Sequence, residues 1–523
     1  MELCSLSSVL LAIAILFIVL YVYYTWTFST FEQLGIPGPT PRPVFGNMHQ
    51  LGPGMRNVDI EWSKEYGKLF GTFEGRQPMM VTADPEICKQ ICVKQFASFY
   101  NRRLIPLTNK EFLTSINMLK DQKWKNKRNA LTPAFSTSKM KAMTPLVNTA
   151  ADALVRNLEK HCESGKPMQC KDVFGSYAID SLASAGFGVD VNSQEDPDNP
   201  FVTNAKEAFS FGVTHPIFIV IFFFPFLVPF FEFFDIEINP KRLMKYFLDL
   251  INETVALRKS QDPSVKRVDL LQQMMDAHDE YDQYIKGNED AEEEDENGVK
   301  LVKDGKSDTH EFSKKFTNED ILGQSLIFFL GGFETTSTTM CFLAYVMATQ
   351  PEIQDNVCKE IDDVMAEYDE PNYQAVAKMP YLDMVVRETL RMYPPAVRFD
   401  RECTEDITIE GYRIPKGMHI SVAVYAIHHN PDIYPEPEKF IPERFTKEEK
   451  EKRHPYAWLP FGAGPRNCIG MRFALLELKI GLVRVFTKYK FEPCAETEIP
   501  PKLGNSAFLA PPAGITLAVK RRH

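Results

Sequence analysis

One cysteine of this 523-residue chain stands among residues that could give its sulfur a chemical role. The window is Phe461-Gly-Ala-Gly-Pro-Arg-Asn-Cys-Ile-Gly470, and an amphipathic helical pattern begins directly after it, at Met471. Cys468 is therefore expected just before a helix N-terminus, where backbone N–H groups and the positive end of the dipole favour an anion. Arg466 adds a cation beside it, so we expect a thiol that loses its proton easily.

Three functions compete for this glycine-rich loop, whose glycines would let the backbone approach a flat or bulky group. A phosphate-binding loop is disfavoured because Pro465 interrupts the glycine spacing and no Lys-Ser or Lys-Thr follows. A nucleophilic cysteine would need a histidine, which no neighbouring residue supplies but a distant one could. A metal-ligating thiolate is the third function. A turn without function is the least favoured, because so many special residues coincide.

A second unusual pattern lies in the apolar segment 325–339, which reads as a long helix with Gly331 and Gly332 in its middle. Each glycine costs about 1 kcal/mol relative to alanine inside a helix, so something has to offset them, such as the close approach of a ligand. Glu334 and Thr335 then place a carboxylate and a hydroxyl beside the same loosened turn. The alternative is a helix kinked only for packing.

Two further pairs of residues would, taken alone, be weak evidence of function. Glu388 and Arg391 can meet on one helix face, where an ordinary surface ion pair contributes only a few tenths of a kcal/mol. Trp124 and Arg128 can likewise share one face of a basic helix.

Together these motifs resemble the cytochrome P450 family, and the resemblance covers the whole chain. The cysteine window matches the family's haem-binding signature, F-x-x-G-x-R-x-C-x-G, at every fixed position. Residues 331–335 match its oxygen-activation motif, [A/G]-G-x-[D/E]-T, and the E-x-x-R pair is followed by Pro442-Glu-Arg-Phe445 as in that family. Segment 379–395 is most similar to the microsomal clan that holds the broad-specificity drug- and toxin-oxidising subfamilies and thromboxane-A synthase.

The resemblance implies roles for individual residues. Cys468 would be the axial ligand of a haem b iron, because a thiolate donates electron density to iron and favours cleavage of the O–O bond. Thr335 and Glu334 would be catalytic, through proton delivery during oxygen activation. The residues implied to contact the haem are Arg102, Trp124, Arg128, Gly331, Gly332, Arg401, Phe461, Arg466 and Gly470. The implied structural cluster consists of Glu388, Arg391 and Arg444.

The composition excludes several other classes of protein. The formal net charge is −11, and many of the acidic residues lie in a polar segment, 286–312, that predicts a solvated loop. The chain has no basic stripe, so a nucleic-acid partner is not expected. The ten cysteines include no C-x-x-C pair, so neither a disulfide framework nor a zinc site is expected.

The first residues predict a single-pass membrane anchor. Between Glu2 and Glu32 no residue is charged, and about twenty apolar helical residues span a bilayer. A cleaved signal peptide would need a basic start and small residues at its end, where this chain has Tyr21-Val-Tyr-Tyr-Thr-Trp26. The first basic residues follow the anchor, so the N-terminus should face the lumen and the body the cytosol.

The expected fold is mainly α with a small β region, the cytochrome P450 fold with an N-terminal transmembrane helix. Residues 1–28 would form the anchor, 29–45 a stiff proline-rich hinge, and 46–523 a single haem-binding catalytic domain. Strand-like runs appear near 69–82 and 406–422.

The phenylalanine-rich stretch 217–234 is interrupted by prolines. It predicts a membrane-dipping or ligand-facing segment rather than a second span. An ordinary pair of core helices is the alternative.

The family resemblance implies a monooxygenase of the endoplasmic reticulum membrane that inserts one atom of O₂ into a lipophilic xenobiotic, steroid or lipid. NADPH would supply electrons through a flavoprotein reductase, with cytochrome b5 as a further candidate donor. The candidate docking residues for the reductase are Lys123, Lys125 and Lys127. The aromatic candidates for the substrate pocket are 209–234, Phe328 and Phe329. The alternatives are a haem-thiolate isomerase or dehydratase acting on peroxides and, least favoured, a haem binder without catalysis.

Overall fold

The structure is a computed structural model that describes residues 2–189, 191–196, 198–209, 216–260, 269–272, 274–275 and 318–522. The acidic segment 286–312 lies outside the described residues, and with it the prediction of a solvated loop.

Helices dominate the described residues, and the predicted mainly α fold with a small β region is confirmed. In chain order the α-helices are α1 (Glu2–Thr25), α2 (Thr30–Leu34), α3 (Met55–Tyr66), α4 (Pro85–Lys89), α5 (Lys110–Leu113), α6 (Asp121–Leu131), α7 (Thr137–Ser164), α8 (Cys170–Leu182), α9 (Pro200–Phe209), α10 (Pro216–Phe223), α11 (Val228–Phe233), α12 (Lys241–Ser260), α13 (Asn318–Thr349), α14 (Pro351–Met365), α15 (Tyr373–Ala377), α16 (Pro380–Met392), α17 (Val424–His428), α18 (Lys447–Lys452) and α19 (Met471–Lys488). The strands are β1 (Leu69–Glu74), β2 (Gln77–Thr82), β3 (Met168–Gln169), β4 (Phe399–Glu402), β5 (Ile407–Ile409), β6 (Tyr412–Ile414), β7 (His419–Val422), β8 (Tyr489–Pro493) and β9 (Thr516–Arg521).

The strands form small sheets at the edge of the helical body. A four-stranded sheet has the order β1-β2-β7-β4, in which β2 and β7 run parallel and the other neighbours antiparallel. A second sheet has the order β3-β9-β8, and β5 pairs with β6. The strands predicted near 69–82 and 406–422 are confirmed, whereas β3, β4, β8 and β9 lie where the sequence predicted none.

Helix α13 is the central helix of the molecule. It is long and apolar enough to cross a membrane, but 61% of its most apolar stretch is buried inside the protein. Every residue from Thr336 to Ala348 is buried. Helices α8 and α19 pack against α13, and α7 packs against both of them. The middle of α13 is thus held from several sides.

The predicted anchor is an apolar helix whose end contacts the body. The segment Leu6–Leu34 has a mean hydropathy of 2.6, and none of its most apolar window is buried. The Tyr24 hydroxyl donates to the Phe223 carbonyl at 2.6 Å. The Arg76 guanidinium lies 3.9 Å from the centre of the Tyr23 ring. The last turns of α1 therefore rest on the β1–β2 turn and on α10.

The proline-rich segment after the anchor packs against β1. The Gly71 N–H donates to the Pro37 carbonyl at 2.8 Å, and a Cβ at Gly38 would lie 2.1 Å from the Gly71 carbonyl oxygen. The Asn47 side chain donates to the Pro39 carbonyl at 3.1 Å. The predicted hinge is therefore attached to the body, and its boundaries remain predictions.

A buried cluster of charges joins α16 to the segment that precedes the cysteine loop. Glu388 accepts from the Nε of Arg391 at 2.7 Å, and its other oxygen lies 3.3 Å from the Nε of Arg444. Arg391 also donates to the carbonyl oxygens of His428 and Pro437, both at 2.8 Å. These three charged side chains are at most 8% exposed, so a surface ion pair is excluded.

We expect Arg391→Ala to lower the free energy of unfolding by about 3–5 kcal/mol, because Glu388 would keep a buried charge without its main partner. Urea unfolding followed by circular dichroism measures this change. Lys452→Ala is the control, since its ion pair with Glu449 is exposed and should contribute little. A loss below about 1 kcal/mol in Arg391→Ala, within the range of ordinary substitutions, would contradict the structural role of the cluster.

Candidate functional site

The cysteine loop is a tight turn that depends on two glycines. Its closing hydrogen bond runs from the Cys468 N–H to the Phe461 carbonyl, at 2.8 Å. Gly462 and Gly464 have φ angles of 72° and 70°, a region that glycine adopts without strain. A Cβ at Gly464 would also lie 1.9 Å from the carbonyl oxygen of Cys92. The loop is therefore in direct contact with the chain at Cys92.

Gly470 does not adopt the left-handed backbone of Gly462 and Gly464, and its expected approach to a bound group stays a prediction. Its φ is −85°, and a Cβ there would meet nothing within 4 Å. Helix α19 begins at the next residue, Met471, so Cys468 does lie just before a helix N-terminus.

The surroundings of the Cys468 thiol act on its pKa in both directions, and the expected easy loss of its proton stays a prediction. Burial raises the pKa of this thiol, and the Gly470 N–H and the cations of Arg128 and Arg102 only partly offset the rise. Protein surrounds the residue closely, yet it keeps accessible surface, as expected of a side chain that lines an internal space. A metal cation at the sulfur would displace the proton.

Arg466 is not the cation beside the sulfur that the sequence predicted. It donates to the carbonyl oxygens of Asn117 and Leu119 at 3.2 and 2.8 Å, and also to that of Tyr100. Its guanidinium lies 4.8 Å from the centre of the Trp124 ring. Arg466 therefore links the cysteine loop to the segment that leads into α6.

Four arginines lie around the cysteine loop, and several of their N–H groups have no hydrogen-bond acceptor among the described residues. They are Arg102, Arg128, Arg401 and Arg466. Arg401 is fully buried, and its Nε and Nη2 have no hydrogen-bond partner among the described residues. The Nε atoms of Arg102 and Arg466 likewise have none there. Burial and neighbouring arginines lower the pKa of Arg466 to about 8 and that of Arg102 to about 10, and burial lowers that of Arg128 to about 10. Such a group of buried cations requires an anionic partner.

Arg128, on α6, also contacts the cysteine loop. It donates to the backbone and side-chain oxygens of Asn467 at 2.9 and 2.7 Å. The residues that the structure brings together are Arg102, Trp124, Arg128, Arg401, Phe461, Arg466 and Cys468. This set fits the predicted haem b, whose two propionates match the unpaired guanidinium N–H groups and whose iron takes a cysteine thiolate.

Helix α13 is continuous through the predicted oxygen-activation motif, so the expected loosened turn is not seen. The Thr335 hydroxyl donates to the Gly331 carbonyl at 2.6 Å. Gly331 keeps accessible surface, and a Cβ there would meet nothing within 4 Å. At Gly332 a Cβ would lie 2.7 Å from a methyl carbon of Leu182, so helix packing alone accounts for this glycine.

The carboxylate of Glu334 has a partner that the sequence did not predict. Lys171, near the start of α8, lies 2.8 Å from it. The Lys171 ammonium also donates to the hydroxyls of Ser337 and Thr338, at 2.8 and 3.1 Å. Both ion-pair side chains are about one-third exposed, at 35% and 31%. The ion pair with Lys171 thus fixes the Glu334 carboxylate at a partly exposed position, about one helical turn from Gly331.

A second acid lies behind the same helix. Glu477 of α19 is fully buried, and burial raises its pKa to about 8. One carboxyl oxygen accepts from the Thr336 hydroxyl at 3.1 Å, and the other has no hydrogen-bond partner among the described residues. This carboxyl group is therefore neutral near pH 7 and fixes α19 to α13.

Three side chains that the sequence proposed for the substrate pocket or for reductase docking have contacts within the helical body. Phe329 is 1% exposed and packs on Phe201 with ring centres 4.9 Å apart, and it lines a small internal cavity together with Phe328. Phe328 keeps accessible surface and lies 5.4 Å from Phe135. Lys127, one of the predicted docking residues, forms an ion pair with Asp320 at 2.7 Å, and its role in docking stays a prediction.

Comparison with known proteins agrees with the geometry. The family model described as Cytochrome P450 matches residues 36–519. The chain is 39% identical to Cytochrome P450 3A29 of Sus scrofa over 507 residues, which are 97% of this chain and 95% of that protein. It is also 39% identical to Cytochrome P450 3A5 of Homo sapiens over 514 residues, 98% of this chain and 96% of that protein.

The pKa of Glu477 makes stability depend on pH. A carboxyl whose folded pKa of about 8 exceeds its ordinary value of 4.5 stabilises the fold at low pH, and this contribution is lost as pH rises through that range. We expect the free energy of unfolding to fall by up to about 1.4 kcal/mol per pH unit for this group. Glu477→Gln should lack this component in urea unfolding between about pH 5 and pH 8. Parallel pH curves for the two proteins would contradict the neutral carboxyl.

Proposed function

The chain belongs to the cytochrome P450 family, and we propose that it carries out the family's reaction with Cys468 as the axial ligand of its haem. It is a haem-thiolate monooxygenase, which converts RH, O₂, NADPH and a proton to ROH, water and NADP⁺. Electrons come from NADPH through a reductase. The observation that supports the proposed ligand is the group of buried, incompletely paired arginines beside a cysteine at a helix N-terminus.

Haem, when bound, supplies the iron at which dioxygen is activated. We assign the binding of its propionates to the arginines with unpaired N–H groups, Arg102, Arg401 and Arg466, with Arg128 holding Asn467 of the cysteine loop. Trp124 supports Arg466 through its ring. The proposed contacts of Phe461, Gly470, Gly331 and Gly332 with the haem stay predictions.

We assign proton delivery to Glu334 and Thr335. The ion pair of Glu334 with Lys171 is partly exposed, so its carboxylate can exchange protons with solvent. Thr335 has to break its hydrogen bond to the Gly331 carbonyl before its hydroxyl can donate into the site. Lys171 then acts as a positioning residue for Glu334.

The substrate we propose is a lipophilic small molecule. Phe328 of α13 is half-buried and offers an aromatic surface near the Gly331 turn. The described residues after Phe209 in the phenylalanine-rich region lie near the membrane anchor instead. The Phe226 ring lies 6.0 Å from the Tyr23 ring, and Phe230 and Phe233 are 57% and 82% exposed.

This exposed aromatic region supports a second contact with the membrane. We propose that α1 spans the endoplasmic reticulum membrane once and that the region 224–234 dips into the same leaflet, with the body in the cytosol. The residues proposed to receive the reductase are Lys123 and Lys125, which are exposed on α6.

A carbon-monoxide difference spectrum of the reduced protein tests the proposed ligand. We expect the strongly red-shifted Soret band of thiolate-ligated haem in the wild type and in Cys358→Ala, a buried cysteine of α14. Cys468→Ala should lack that band, because no sulfur would remain at the iron. A wild-type spectrum typical of histidine ligation would refute the proposal. Substrate-dependent consumption of NADPH and O₂ then separates a monooxygenase from an isomerase, a dehydratase or a haem carrier.

We expect Lys171→Met to increase the share of NADPH electrons that end in hydrogen peroxide, because Glu334 would lose the group that positions it. Thr335→Ala should have the same effect. Peroxide formed per NADPH consumed is the measurement, and Lys359→Met, an exposed lysine on α14, is the control. Unchanged peroxide yields in both variants would refute the proposed proton delivery.

A further inference from the structure

Two buried cysteines lie one helical turn apart behind the cysteine loop. The Sγ atoms of Cys88 and Cys92 are 4.0 Å apart, and neither residue is exposed. Cys88 belongs to α4, which passes directly into a π-helical turn, Gln90–Lys94. Neither thiol takes part in the proposed reaction.

Backbone contact connects this thiol pair to the haem ligand. Only a glycine at 464 leaves room for the carbonyl oxygen of Cys92, because a Cβ would lie 1.9 Å from it. Gly464 belongs to the turn that the Cys468 N–H closes. A displacement of the backbone at Cys92 therefore has to move the loop.

The environment makes the two sulfurs unequal. The Cys88 thiol donates a hydrogen bond to the Cys92 sulfur. This bond lowers the pKa of Cys92 against the effect of burial, and the cations of Arg401 and Arg102 act in the same direction. The pKa of Cys88 is raised. Cys92 is therefore the better nucleophile and Cys88 the thiol placed to react with it afterwards.

We propose that Cys88 and Cys92 form a peroxide-sensitive dithiol whose reversible oxidation to a disulfide distorts the Cys468 loop. The effect on the haem rests on the proposed role of Cys468. The oxidant is hydrogen peroxide, which a monooxygenase releases when it reduces oxygen without oxidising a substrate. The Cys92 thiolate attacks one peroxide oxygen and the O–O bond breaks, which forms a sulfenic acid and releases hydroxide. The hydroxide takes up the proton that the Cys92 thiol had lost and leaves as the first water. Cys88 attacks that sulfur, and the S–S bond forms as the second water leaves. Two thiols thus reduce one peroxide.

The geometry explains why a Cys88–Cys92 disulfide would displace the Cys468 loop and why its formation would be reversible. A disulfide needs the sulfurs about 2.05 Å apart and the Cβ atoms about 3.5–4.5 Å apart. Side chains four residues apart on a helix have Cβ atoms about 5–6 Å apart. Bond formation therefore draws this turn together and shifts the Cys92 backbone. A disulfide under such strain is reduced more readily than a relaxed one.

The test uses full-length holoprotein treated with hydrogen peroxide or with diamide, a thiol oxidant that does not need the iron. Trypsin cuts after Lys89, so a Cys88–Cys92 disulfide appears in mass spectra as peptide 77–89 joined to peptide 90–94. We expect the joined peptides to accumulate with either oxidant. The thiolate band in the carbon-monoxide spectrum should fall in proportion to the joined fraction. Dithiothreitol should restore the band and separate the peptides.

Matched variants separate this effect from general oxidation. Cys92→Ser and Cys88→Ala should keep the band in diamide, whereas Cys358→Ser should behave as the wild type. Absence of the joined peptides from oxidised wild type, or their formation without any change in the band, would overturn the proposal. A missing thiolate band before oxidation would overturn the assignment of Cys468 instead, and the joined peptides would still report on the dithiol.

Discussion

The arrangement depends above all on four arginine side chains beside one cysteine, of which Arg401 and Arg466 are buried. Removal from water lowers the pKa values of Arg102, Arg128 and Arg466, and repulsion by neighbouring arginines lowers those of Arg102 and Arg466 further. Their bonds to backbone carbonyls hold the geometry but leave net charge uncompensated. Binding of a dianionic cofactor compensates it, so cofactor binding and stability of the fold are coupled.

A second set of buried charges stabilises the position of the cysteine loop. The Glu388–Arg391–Arg444 cluster fixes α16 to the segment that runs towards the cysteine loop. His428 takes part through both ring nitrogens, which meet the Arg391 carbonyl at 3.0 Å and the Leu459 N–H at 2.8 Å. The Arg391 guanidinium also lies 5.2 Å from the centre of the Tyr434 ring, so backbone groups, opposite charges and an aromatic ring together hold this network.

Sequence reasoning predicted the parts of the site that depend on local pattern. The loop with Cys468 and the glycine pair at 331–332 stand out because several restrictive residues occur close together. The partner of Glu334 could not be predicted, since Lys171 belongs to another helix and carries no local signal. Glu477 did leave a trace, as an acid within an apolar run of α19, but its partner Thr336 is visible only after folding. The burial that raises the pKa of the Cys468 thiol could not be predicted either, because burial is a tertiary property.

The position of Glu334 also matters while the protein is being made. Two helical segments in the described part of the chain are long and apolar enough to span a bilayer. Leu6–Leu34, which includes most of α1, has a mean hydropathy of 2.6, and α13 has one of 1.3. Glu334 stands at the midpoint of α13, where a carboxylate adds about 2.5–3.5 kcal/mol to the free energy of insertion into a membrane. The residue that we propose to deliver protons should thus also disfavour the insertion of α13 as a second span. We expect an apolar residue at this position to weaken both effects.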